Sequence, residues 1–535
     1  VKRNYWPLWL SAALCAAVYV PRLNSPFLWD DRSVVAENRV LDHPIPLKSF
    51  ITRRYYDFAG EESWRPMATM SYVALVRVFG KSPTALRGFH LLLHGVNAWL
   101  LARLVIALGL SVETGAWAAA LFLINAANTE TLKCVAFNEE ILVSLGLLAM
   151  LFFHRGRRRG LATAAFTFAL LSKETGVIGI PLALFSDFLE NGKPWRRWKD
   201  YALYGLPLAA YLAVHFGPMK GPTMGVAPFV LPFTTRLFFG LDSLATAARV
   251  FFLPTSLRLE YFALPPTGTA DWLVWGGAGL IVLGAWMALL VRAWKRNRSV
   301  LFLLLWPLPF LALTSPFWPV TVFNTRLFAE RWLYLPALGA SAALAVWLAR
   351  RPRLGAAVLL FWGACGWVRV ADWSQETRLW SSLLDIYPWC AKAEEGMGEA
   401  LFRQDDYAGA LESFQRARFL RDNRQDLVLQ AYAPLSQGNF VRWESPSLYR
   451  WLGHTEIKLN DVAAADDDFE QAWRLDASDS FTYKIMAYSW ARIGDFTKAD
   501  AWTRRGLDAH PDDPLLLRLA DDVRRHRLTV HAEFP

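Results

Sequence analysis

Cysteine is scarce in this chain. Cys15, Cys134, Cys365 and Cys390 are the only four in 535 residues, and their spacing fits neither a disulfide framework nor a zinc site. Charge is also sparse: Asp, Glu, Lys and Arg make up 19% of the chain against 54% hydrophobic residues, with 26 Trp and 35 Phe. That composition excludes an ordinary soluble fold, and the length excludes a single compact domain. Acidic residues are few in one part only. From Asp372 onward there are 20 Lys and Arg against 28 Asp and Glu, a net of −8, which leaves +18 for the preceding residues. Two regions of opposite charge therefore meet near residue 372. The basic region carries its charges between apolar runs, the pattern of membrane topology signals, and nucleic-acid binding is not expected.

What is abundant is apolar sequence in runs of membrane-crossing length. Spans are expected at 6–21, 86–108, 115–128, 139–154, 161–173, 176–190, 201–217, 271–291, 299–315, 335–350 and 354–371. Lys2 and Arg3 precede the first, which reads as an uncleaved signal anchor. The basic clusters at Arg155–Arg159, Lys193–Lys199, Arg292–Arg298 and Arg350–Arg353 all fall on one side if these spans alternate, and that side is expected to be cytoplasmic. The segment 234–253 contains Arg236, Asp242 and Arg249 and is placed along the outer interface or as a re-entrant helix. The expectation is about eleven spans, with the N-terminus inside and the C-terminal region outside.

On that topology Asp30-Asp31, Glu130, Asn138-Glu139-Glu140, Lys173-Glu174 and Glu330-Arg331 converge at the outer face from five separate loops. Ionisable groups beside lipid are costly unless they are paired or functional, and their convergence marks a candidate site. Trp29-Asp30-Asp31-Arg32 follows the first apolar segment and opens a polar, aromatic loop of about sixty residues. Adjacent carboxylates repel and raise one pKa, which suits a base. His90 and His94 stand four apart on one helix face with Asn97 a turn on. No third ligand for a metal is nearby in sequence, so they read as a polar lining of the site.

From Ala391 the pattern changes to amphipathic helices with a period of 34. Aligning 391–424, 446–479 and 480–513 superposes Gly398, Gly453 and Ala487, then Ala410, Ala465 and Ala499, then Phe414, Phe469 and Thr503, then Ala417, Ala472 and Gly506. This resembles the tetratricopeptide repeat, a solenoid whose concave face binds peptides or proteins. Residues 425–445 are too short for a full unit and read as a degenerate one.

Trp29-Asp30-Asp31, Trp64-Arg65-Pro66, Asn128-Thr129-Glu130-Thr131, Ser172-Lys173-Glu174 and Ala329-Glu330-Arg331-Trp332-Leu333-Tyr334-Leu335-Pro336 follow one another in this order. The linker from Asp372-Trp373-Ser374 to Leu379-Trp380 and then the repeats continue the series. This ordered set resembles the transmembrane-and-tetratricopeptide-repeat O-mannosyltransferases. The resemblance implies an all-α fold: a polytopic GT-C helical bundle over 1–371, a linker over 372–390 and an extracytoplasmic repeat solenoid over 391–535. It also implies a polyprenyl-phosphate sugar donor and a hydroxyl acceptor, expected on a protein or peptide bound by the repeats. The arginine-rich loops suggest a bacterial inner membrane and an undecaprenyl-type carrier. Asn125 and Asn128 replace histidines usual in the family, which bears on sugar or acceptor identity. No phosphate-binding glycine loop or dinucleotide fingerprint points to a nucleotide-sugar donor.

The expected roles are Asp31 or Asp30 as base, with Asp31 favoured, and Glu130 as a second acidic candidate. Lys173, Arg331 and Arg65 would hold the leaving phosphate. His90, His94, Asn138, Glu139, Glu174 and Glu330 would line the site. No cofactor is required, and a divalent metal is compatible. The alternatives are an O-antigen-type ligase, and a membrane scaffold or transporter that recruits proteins through its repeats.

Overall fold

The computed structural model describes residues 5–59, 63–219, 231–318, 326–432 and 445–529. Two compact units separate between Gln375 and Glu376. The first begins with α1 (Trp6–Tyr19), α2 (Tyr56–Ala59), α3 (Pro66–Phe79), α4 (Pro83–Ala107), α5 (Val112–Ile124) and α6 (Thr129–Lys133). There follow α7 (Asn138–Arg155), α8 (Arg159–Ser172), α9 (Gly179–Asn191), α10 (Trp198–Phe216), α11 (Phe233–Phe252) and α12 (Thr269–Asp271). The unit closes with α13 (Gly277–Arg296), α14 (Arg298–Leu305), α15 (Pro307–Thr314), α16 (Tyr334–Leu348) and α17 (Pro352–Asp372). Among the described residues one ribbon, β1 (Tyr261–Phe262) antiparallel to β2 (Arg326–Phe328), ties two loops together.

Helix starts are written in the local sequence. Ser82 and Ser111 accept backbone N–H bonds from Ala85 and Thr114, capping α4 and α5, and Pro83 occupies the first turn where its missing N–H costs nothing. Close packing depends on small residues. Gly146 on α7 lies against Ala169 of α8, and Gly355 on α17 faces the ring of Trp117 on α5, so a Cβ at either would force a shift. Gly363 then meets Ile124, and Gly366 meets Val18 and Ala126. These contacts put α17 parallel to α5 and α1, and carry it six residues past Gly366, about 9 Å at 1.5 Å per residue.

Among the described residues five helical stretches are long and apolar enough to cross a bilayer: Pro83–Ala107, Val135–Arg155, Thr269–Arg296, Glu330–Leu348 and Pro352–Asp372. The first is 44% buried, the second 78% and the third 11%, so α7 is central while α13 presents its sides outward. The unit is thus a multi-pass membrane bundle, but the count of eleven spans is not established. Helices such as α1 and α5, with 14 and 13 residues, extend only about 20 Å against a hydrocarbon core of about 30 Å. The expected span 299–315 is divided between α14 and α15, with Pro307 at the break. Helix α11 meets Phe317 near its start and packs Leu241 on Gly279 in the first turn of α13, while Phe251 accepts from Asn125 after α5.

The second unit starts with α18 (Glu376–Leu384), which occupies the expected linker and buries Leu379, Trp380 and Leu383. Pairs follow: α19 (Ala391–Phe402) with α20 (Tyr407–Asp422), then the short α21 (Leu427–Tyr432), α22 (Pro446–Lys458) with α23 (Val462–Leu475), α24 (Ser480–Arg492) with α25 (Phe496–Ala509), and α26 (Pro514–Arg524). Most of the degenerate unit expected at 425–445 lies outside the described residues. Each turn within a pair has a left-handed residue, Asp405, Asn460 or Gly494. The next residue, Asp406, Asp461 or Asp495, caps the second helix. The first helices of successive units are capped by Ser445, Asp479 and Asp513, spaced by the 34-residue period. Arg450 pairs with Asp479 at 2.6 Å and Lys484 with Asp513 at 2.8 Å, one period apart, so the same ion pair joins consecutive repeats. This is a tetratricopeptide-like array.

Candidate functional site

Residues 125–135 are all buried although Asn125, Asn128, Thr129, Glu130, Thr131 and Lys133 are polar. Ala126 lies at the level of Gly366, six residues before the end of α17, so the polar loop is packed inside the bundle. Buried charge must be paired, and the pairing brings the acidic and basic motifs into one cluster.

At its centre Glu130 accepts two bonds from Arg331, from the backbone N–H at 2.9 Å and from Nη1 at 2.5 Å. The Arg331 guanidinium lies over Phe137 at 4.4 Å and over Trp29 at 5.8 Å. Trp29 has φ +50°, uncommon for a bulky side chain. Asp30, next in the chain, is half-buried and within electrostatic range of Arg331. Among the described residues Arg331 Nε and Nη2 have no recorded acceptor, which leaves one edge of the fork available.

Two further groups flank this centre. Glu330, fully buried, accepts from Arg369 Nε and Nη2 at 3.2 and 3.1 Å, from Tyr261 Oη at 3.1 Å and from the Arg258 N–H. On the other side Arg65 donates to Glu174 through Nε at 3.1 Å and Nη2 at 2.8 Å, and lies 3.3 Å from Glu139. Lys173 pairs with Glu140 and, at 3.4 Å, with Glu139. Burial pulls the Lys173 ammonium down, but the Glu140 and Glu139 charges outweigh it and hold the pKa above its ordinary value.

Asp31 is in a different position from Asp30. It is 1% exposed, accepts from the Ala136 N–H at 2.9 Å and Cys134 Sγ at 3.2 Å, and stands 3.5 Å from Arg87 Nη2. Arg87 donates to the carbonyls of Lys133, Leu23, Ser25 and Pro26. Burial pushes the Asp31 carboxyl up, against the opposing Arg87 charge and its hydrogen bonds. Lys133 donates to the Arg22 carbonyl at 2.6 Å and Ser25 Oγ at 2.8 Å, and burial with the nearby Arg87 charge lowers its pKa to about 7. This rivet fastens the first loop to loop 125–137 and thereby sets where Asp30 points. Asp31 is buried with Oδ1 engaged and with Oδ2 3.5 Å from Arg87 but without a hydrogen-bond partner, whereas Asp30 is half-buried and the more accessible of the two carboxylates.

The other candidate residues have partners of their own. His94 uses Nδ1 on Tyr334 Oη at 2.8 Å and Nε2 on the Leu123 carbonyl at 3.2 Å, so it braces α4 against α5 and α16. His90 packs against the Thr131 and Leu132 backbone, and Asn138 donates to Ala68 O and Ser71 Oγ. His90 Nδ1 and Asn138 Oδ1 are buried without a hydrogen-bond partner. Lys173, Arg65 and Arg331 are each paired with carboxylates. Sequence reasoning missed Arg87, Lys133, Tyr261 and Arg369. Arg87 and Arg369 sit inside apolar spans, the one available signal. Among the described residues no group of three His, Cys, Asp or Glu side chains is placed to hold a metal ion.

Part of this chain is similar to a protein O-mannosyl-transferase. Over 191 residues it is 28% identical to the protein O-mannosyl-transferase Tmtc1 of Drosophila melanogaster, a stretch equal to 33% of this chain and 22% of that protein. The match thus spans about a fifth of the relative's length, and it agrees with the family resemblance read from the motifs. No family model matches the chain. Among solved structures, ArnT from Cupriavidus metallidurans in the apo state overlays with a TM-score of 0.38 and 17% identity, covering 84% of this chain and 79% of that one. The anaphase-promoting-complex assembly Cut9–Hcn1 gives 0.25 and 13%, covering 96% and 98%. Superpositions this loose carry no weight for fold or chemistry.

Proposed function

We propose that this chain is a membrane glycosyltransferase that moves a sugar, with mannose the first candidate, from a polyprenyl-phosphate donor to a hydroxyl group. The acceptor is a Ser or Thr of an envelope or secreted protein that engages the repeats, and the reaction takes place at the outer face of a bacterial plasma membrane. One observation carries this reading: half-buried Asp30 lies within electrostatic range of Arg331, whose guanidinium is bound by Glu130 and covered by Phe137 and Trp29.

In this arrangement Asp30 takes the acceptor hydroxyl proton as that oxygen bonds to the sugar C1. The bond from C1 to the phosphate oxygen breaks on the opposite side, and the configuration inverts. The electron pair stays on the lipid phosphate, where the open edge of Arg331 stabilises it. Glu130 keeps Arg331 oriented, and the clusters around Lys173 and Glu330 hold the surrounding loops. No step requires a cofactor.

The test is transfer from labelled polyprenyl-phosphate sugars in reconstituted vesicles. Asp30→Asn is expected to lower turnover about 10²–10⁴-fold, the usual cost of losing a positioned base, with an unchanged melting temperature. Asp31→Asn is expected to lower the melting temperature as well. Wild-type turnover in Asp30→Asn would remove the base assignment. Failure of the wild type to consume any such donor would remove the transferase reading.

A further inference from the structure

At the helix ends opposite the ionic cluster lies a cavity that the transfer chemistry does not use. Its volume is about 160 Å³, room enough for a phosphate group. Arg155 at the end of α7, Ser186 and Glu190 on α9, and Arg298 and Ser299 at the start of α14 supply its polar wall. Leu108, Leu189 and Phe302 supply an apolar one.

Backbone carbonyls hold the two arginines in place without cancelling their charge. Arg155 Nε and Nη2 donate to the Ala107 carbonyl at 3.2 and 3.1 Å, and Nη1 donates to Ser186 Oγ at 2.9 Å. Arg298 Nη1 donates to the Leu189 carbonyl at 3.1 Å. Glu190 is the one carboxylate in the lining, 3.5 Å from Arg155 with its side chain 43% exposed, so the wall keeps a net positive charge. Because Ser186 accepts from Arg155, its own O–H is left to be donated. Fixed guanidinium groups beside a hydroxyl suit an anion with several acceptor oxygens. The same helix ends carry the clusters Arg155–Arg159, Arg292–Arg298 and Arg350–Arg353, the signature of the face where anionic lipids concentrate.

We propose that this cavity binds the phosphate of an acidic phospholipid, with Arg155 and Arg298 as its cationic walls and the apolar side receiving the first acyl carbons. The apolar wall favours a lipid over a free phosphate, which gains nothing from it. This assignment rests on the membrane reading of the bundle and not on sugar transfer.

The test uses the full chain in nanodiscs of phosphatidylcholine with a minor fraction of phosphatidylglycerol, counting retained lipid by native mass spectrometry. The wild type is expected to keep one phosphatidylglycerol molecule, and Arg155→Gln/Arg298→Gln to hold it about tenfold or more weakly. If that double variant does not fold, Arg298→Gln alone, at an exposed position, is expected to show a smaller loss of the same kind. Arg292→Gln/Arg296→Gln, on the same basic face but away from the cavity, is expected to retain the lipid; an equal loss there would reduce the effect to diffuse surface charge and overturn the site. Displacement by millimolar glycerol phosphate would overturn the lipid assignment. Insertion with no preference for phosphatidylglycerol would sink this proposal alone, whereas failure to insert in nanodiscs would sink the membrane reading with it.

Discussion

Replacing Arg87 by Met tests whether the first loop is held by a buried ion pair. Arg87 and Asp31 are each 1% exposed and 3.5 Å apart, and Arg87 also donates to four backbone carbonyls. Removing the cation strands a buried carboxylate, a defect that typically costs about 3–5 kcal/mol. The sign of the pH dependence follows from Asp31. Burial already raises its folded-state pKa, and losing the Arg87 charge raises it further. A raised carboxyl pKa gives stability that is present below the unfolded value and is lost as pH rises through the folded value. The Arg87→Met deficit is therefore expected to be smallest in acid and to grow toward neutral pH. Adding Asp31→Asn removes the stranded charge and is expected to recover much of the loss at neutral pH. Thermal unfolding in detergent from pH 5 to pH 8, run as a double-mutant cycle, measures both effects. A deficit that is flat with pH, or single-variant losses that simply add, would show that Asp31 and Arg87 do not act as a pair.

Three other outcomes follow from buried contacts. A Cβ built at Gly453 would lie 2.6 Å from the Phe469 ring, so Gly453→Ala is expected to destabilise the repeats by about 1–3 kcal/mol, and a smaller residue at 469 should relieve it in the same melting assay. Burial and the neighbouring Asp468 raise the Glu456 pKa to about 8; with the folded value above the unfolded one, repeat stability declines as pH rises toward 8, and Glu456→Gln should raise the melting temperature at pH 8 while changing little at pH 5. Lys173→Met is expected to reduce folded yield because it strands Glu140; a variant with normal melting and only a raised KM for donor would return Lys173 to the role of phosphate ligand.

The repeats were legible because their constraints are local and periodic. Superposing Gly398, Gly453 and Ala487 with Phe414, Phe469 and Thr503 anticipates a physical pairing: each glycine faces a phenylalanine, and the alanine occurs where the partner shrinks to threonine. The expected linker was less legible. Its Leu379, Trp380 and Leu383 become a buried helical face only once α19 supplies Gly396 for the Trp380 ring to rest on. Span counting was weaker again, since hydropathy alone does not separate a helix that crosses from one that stops at a buried polar loop. Helix α5 ends at Ile124, and the chain then turns through 125–137 inside the bundle.

Which motifs meet was readable, but who pairs with whom was not, because ion pairing has no sequence period. Glu130 finds Arg331 across 201 positions, and Arg65 finds Glu174 across 109. Adjacency misled most at Asp30-Asp31, where two carboxylates side by side suggested mutual repulsion. The structure separates them: the buried one lies 3.5 Å from Arg87, a residue hidden in an apolar span, and the other is half-buried within electrostatic range of Arg331. That division explains why two acidic residues occur together. One is buried in the bundle beside Arg87, and the other, half-buried, is the carboxylate that our proposal uses as the base.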